Sequence, residues 1–76
     1  MTTVEGLHAT SSGAYFVTLS WQAPGGISAV DVYRVRCWSE KSGFQNEHTY
    51  TVHTNATVRN LQPRTVYLFA VRIYYV

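Results

Sequence analysis

The chain has 76 residues, enough for one small domain and too few for a multi-domain enzyme. Hydrophobic residues make up 46% and charged residues 13%, a balance that favours a packed core and excludes a disordered tail. A formal net charge of +2 is too weak to argue for nucleic acid as a partner, and a single cysteine excludes an internal disulfide framework.

Val, Ile, Thr and the aromatic residues occupy 32 of the 76 positions, and no segment holds a 3.6-residue period over the length of a helix, so the chain reads as all-β. Strands are predicted near 4–10, 15–22, 31–38, 44–52, 56–60 and 66–75. Ser11-Ser12-Gly13 separates the first from the second, and Ala23-Pro24-Gly25-Gly26 the second from the third, because proline cannot donate to a ladder and glycine accepts positive φ. A hairpin is placed at Glu40-Lys41-Ser42-Gly43, and Asn60 to Thr65 forms the crossing before the last strand, with Leu61 and Pro63 covering one end of the core. No stretch approaches the roughly 18 apolar residues of a membrane span, so no direct membrane insertion is expected. The start Met1-Thr2-Thr3-Val4-Glu5 lacks both regions of a signal peptide, which leaves a cytosolic chain or a piece of a longer protein.

Period-two parity sorts the faces. Val17, Leu19 and Trp21 share the inward side of the second strand, Tyr33, Val35 and Cys37 that of the third, and Tyr67, Phe69, Val71 and Ile73 that of the last. Each inward set is dominated by apolar side chains, so two sheets packed face to face follow, with a small barrel left open by patterning alone.

The run Val17-Thr18-Leu19-Ser20-Trp21-Gln22-Ala23-Pro24, the Tyr33-x-Val35 pair and Leu61-x-Pro63-x-Thr65-x-Tyr67-x-Phe69-x-Val71 resemble a fibronectin type III domain, with Leu7 and Ala9 matching its first strand. The resemblance spans residues 4–74 and implies an immunoglobulin-like Greek-key β-sandwich built as a single domain over 1–76. It implies a structural core of Trp21, Tyr33, Leu61 and Tyr67, in which the Tyr67 hydroxyl reaches backbone in the preceding loop. A family member normally continues into a last strand, whereas this sequence stops at Tyr75-Val76, so the domain is expected to be C-terminally short. The strand at 66–75 would then present an open edge, left to a removed remainder, a second copy or a strand from another protein. Domains of this kind serve in receptors, adhesion molecules, matrix proteins and some secreted enzymes, mostly as spacers or protein-binding modules.

The candidate binding face is the outward side of the third and last strands, where Arg34, Arg36, Trp38, Arg72 and Tyr74 gather with Val32 and Leu68. Arginine and aromatic residues dominate binding hot spots, although the same side chains also cover ordinary sheet surfaces through their stems. The rival is the loop at Pro24–Ala29. Cys37 has inward parity and reads as a buried, inert thiol. His8, His48 and His53 lack metal-motif spacing, and the acids Glu5, Asp31, Glu40 and Glu47 form no evident catalytic pair. Neither a cofactor nor enzymatic activity is expected. Asn55-Ala56-Thr57 matches the N-glycosylation acceptor pattern, a reading that holds only for a secreted parent.

Three uses therefore stand side by side. The first is a non-catalytic recognition or adhesion module from the extracellular or cell-surface region of a larger receptor or matrix protein, binding a protein partner. The second is a structural spacer, and the third an engineered or trimmed scaffold forming a homo-oligomer through its edge at 66–75.

Overall fold

The computed structural model describes residues 4–24, 32–39 and 47–74. Six strands follow in chain order: β1 (Glu5–Ser12), β2 (Val17–Gln22), β3 (Val32–Trp38), β4 (Glu47–Thr51), β5 (Asn55–Val58) and β6 (Leu68–Tyr74). They form two antiparallel sheets, ordered β1-β2-β5 and β4-β3-β6. The chain passes from the first sheet to the second between β2 and β3, returns at the bend over 52–54 and crosses again over 59–67, which gives the sandwich its Greek-key path.

Alternation builds the core. Along β3 the even positions are half-buried while Tyr33, Val35 and Cys37 are buried, and β2 contributes Leu19 and Trp21 from the facing sheet. Val58 of β5, Val71 and Ile73 of β6, and Leu61 complete the buried set, with Val4, Leu7, Val17, Ala56, Tyr67 and Phe69 packed at its margin. Each fully buried Leu, Val, Ile or aromatic side chain contributes on the order of 1.5–3 kcal/mol by leaving water. At the centre the Trp21 and Tyr33 rings meet edge to face, 5.4 Å apart at 69°.

Several expected boundaries are corrected, the second strand starting at Val17 rather than 15 and the fourth ending at Thr51 rather than 52. Ser11 and Ser12 belong to β1, since they pair with Thr18 and Val17, and the break begins only at Gly13, whose N–H donates to the Phe16 carbonyl at 3.0 Å. The strand expected at 56–60 ends at Val58, because Asn60 takes φ 63° and a left-handed residue cannot continue a ladder. The last strand starts at Leu68, leaving Val66 exposed and Tyr67 in the crossing. The expected hairpin at 40–43, residues 44–46 of the fourth strand, and Tyr75 lie outside the described residues.

The crossing is held by hydrogen bonds from both directions. Leu61 N–H donates to the Tyr15 carbonyl at 3.0 Å, and Gln62 N–H donates to the Tyr67 hydroxyl oxygen at 2.8 Å. Leu61 closes that end of the core, but Pro63 is exposed rather than covering it. Pro63 occupies a turn with Arg64, at φ 55°, and its carbonyl accepts the Thr65 hydroxyl at 3.0 Å.

The edge strands differ in regularity. β1 is interrupted by register shifts between Glu5 and His8 and between Ala9 and Ser11, with Gly6 at φ 64°. β6 pairs with β3 without interruption from Leu68 to Tyr74. On its other side Val4 N–H donates to the Val71 carbonyl at 3.4 Å, and no strand pairs there among the described residues.

Candidate functional site

The outward face of the β4-β3-β6 sheet is organised by its register. Arg34 lies between Tyr50 on β4 and Arg72 on β6, Val32 stands opposite Tyr74, Arg36 opposite Ala70, and Trp38 opposite Leu68. Because residues two apart on a strand share a face, these side chains form one continuous surface.

At one end the Tyr50 and Tyr74 rings meet edge to face at 5.4 Å and 66°, both tyrosines remaining exposed. Beside them Arg34 is half-buried and Arg72 exposed, directly across the ladder from one another. Toward the other end the Arg36 guanidinium lies 5.5 Å from the centroid of the Trp38 ring, a cation–π contact between half-buried partners. The Arg36 Nε is buried without a hydrogen-bond partner among the described residues, as expected for a stem laid along the sheet. Leu68, exposed, extends the apolar surface past Trp38.

All five residues singled out from the sequence thus share this face, in two groups: Arg34, Arg72 and Tyr74 together, and Arg36 with Trp38. Tyr50 was missed. Its signal lay in the parity of β4, where it alternates with Thr49 and Thr51, but only the pairing with β3 brings it beside Arg34. Two guanidinium forks opposed across a ladder, flanked by aromatic rings, suit carboxylate groups presented together with apolar side chains. No cavity opens among the described residues, so the surface is an open sheet rather than a pocket.

The opposite face has different chemistry. On β1-β2-β5, His8 pairs with Ser20, Ser11 with Thr18, and Thr18 with Thr57, whose hydroxyl lies 3.0 Å from that of Thr18. Thr10 donates from its hydroxyl to the Thr18 carbonyl at 3.4 Å. Asn55, exposed, begins β5 opposite Ser20.

The remaining candidates are dispersed. Cys37 is buried, and His8 donates through Nδ1 to the Gly6 carbonyl at 2.8 Å. Among the described residues no three His, Cys, Asp or Glu side chains converge as metal ligands, and no helix is long and apolar enough to cross a membrane. Of the rival loop, Pro24 is buried and residues 25–29 lie outside the described residues.

Two three-stranded sheets with a buried Trp21 on β2 and the Tyr67 hydroxyl tied to the preceding loop define an immunoglobulin-like sandwich. The chain belongs to the fibronectin type III domain family, whose model matches residues 2–76. It is also similar to the ephrin type-B receptor 5 of Gallus gallus, at 35% identity over 68 residues that cover 87% of this chain. The chain spans about 7% of that receptor's length.

Proposed function

We propose that the domain is a non-catalytic recognition module of a larger receptor, displayed outside the cell, which binds an acidic protein surface through the β4-β3-β6 face. The observation that carries this reading is the asymmetry of the sandwich. Arg34, Arg36, Arg72, Trp38, Tyr50 and Tyr74 lie on one face, and the centre of the other carries Ser and Thr hydroxyls beside His8 and Asn55, with no arginine. Aromatic and arginine side chains contribute most to protein interfaces, whereas serine and threonine rarely do. The likeness to a receptor of which the chain would form a small part supports the modular context.

The test uses multimerised domain binding to intact cells. Saturable binding is expected, reduced at least about tenfold in the Arg36→Ala/Trp38→Ala double variant, since two hot-spot truncations commonly cost more than 1 kcal/mol each. Ser20→Ala, on the opposite face, should leave binding unchanged, and both variants should melt cooperatively. Saturable binding insensitive to the double variant would overturn the assignment of the face. Absence of saturable binding would leave the domain as a spacer.

A further inference from the structure

The acceptor triplet Asn55-Ala56-Thr57 is the sole Asn-x-Ser/Thr triplet of the sequence, and the recognition face does not use it. We infer that Asn55 carries an N-linked glycan that covers the hydroxyl-lined β1-β2-β5 face and leaves the arginine and aromatic face clear. This rests on the extracellular placement proposed above.

Four features support the site. The middle residue is Ala56, which permits the extended triplet that proline would prevent. Ala56 and Val58 take the inward positions of β5, so Asn55 and Thr57 stand on the outward side. Asn55 is exposed immediately after the bend over 52–54, and its carboxamide has no hydrogen-bond partner among the described residues. Its cross-strand neighbour is Ser20, followed along the face by Thr18 and Thr57, all small, and the nearest ring, His8, lies one strand further on, opposite Ser20. A glycan there also screens the outer edge of β5, which presents no regular strand partner among the described residues.

The chemistry is a glycosyl transfer from a lipid-pyrophosphate-linked oligosaccharide. The Asn55 carboxamide nitrogen forms a bond to C1 of the first sugar as the C1–O bond to pyrophosphate breaks, and the displaced amide proton balances the released lipid pyrophosphate. No oxidant or reductant is required. The modification adds a bulky, hydrated group at the surface.

The 76-residue chain, fused to a cleavable signal sequence and expressed in eukaryotic cells, tests this by intact mass of both secreted and retained fractions. A glycan-sized increment is expected that peptide-N-glycosidase removes, leaving Asp at position 55. The increment should vanish in Asn55→Gln and in Thr57→Ala and return in Thr57→Ser. An unmodified chain in both fractions would overturn the proposal. Because occupancy is read without any binding partner, failure of the recognition reading leaves this result unaffected. Conversely, a bare Asn55 says nothing against the arginine face.

Discussion

The Tyr67 hydroxyl accepts from the Gln62 N–H, and this bond ties the entry of β6 to the loop that closes the core over Leu61. Gln62 is exposed, so water can replace the lost partner in Tyr67→Phe. The cost is then about 1 kcal/mol, near the middle of the range for one neutral hydrogen bond. For a domain of this size that lowers Tm by about 4–8 °C, which thermal unfolding followed by circular dichroism would register. An unchanged Tm would mean that the bond does not hold the loop. Identities such as Trp21 and Tyr33 were legible in the sequence because burial follows parity, and parity needs no knowledge of partners, while Leu61, outside any strand, was expected from its place in the crossing and from the family resemblance. Pro63 was misjudged for a related reason: in a turn there is no parity, and the left-handed Arg64 beside it turns that residue outward.

At the scale of elements, every strand was anticipated, yet its ends were set by forces that patterning does not carry. Ser11 and Ser12 look like turn residues but remain paired, since β2 continues opposite them and an edge strand tolerates short polar side chains. Asn60 ends β5 through its backbone angle. The arginine face was visible as alternation on two separate strands; its third row, Tyr50, required the β3–β4 register. The Val4–Val71 bond also fixes which way the β6 backbone faces. Backbone groups alternate sides along an antiparallel strand, so Phe69, Val71 and Ile73 point to the edge away from β3, and Ala70 and Arg72 bond to β3. In dilute monomer the Ala70 and Arg72 amides should exchange with deuterium at least about tenfold more slowly than those of Phe69 and Ile73. Equal protection would mean that both edges of β6 are paired in solution.

At the scale of the whole molecule the two sheets differ in surface chemistry: one presents guanidinium groups and aromatic rings, the other hydroxyls and Asn55. The sandwich is also asymmetric at its borders. Among the described residues β4 and β5 offer five and four residues, β1 is bent by two register shifts, and β6 runs seven residues in unbroken register. Growth by strand addition therefore has a direction. A β6 edge meeting another β6 edge forms an isologous pair related by a two-fold axis, and that pair consumes the straight edges of both copies. Head-to-tail addition of β6 onto β1, the arrangement that propagates into fibres, meets a kinked template with mismatched backbone groups. Sedimentation equilibrium at rising concentration should thus level off at twice the monomer mass, and higher species would mean that the kinks in β1 do not stop propagation. An irregular β1 opposite a straight β6 thus favours a closed pair over an open fibre in any edge-to-edge contact.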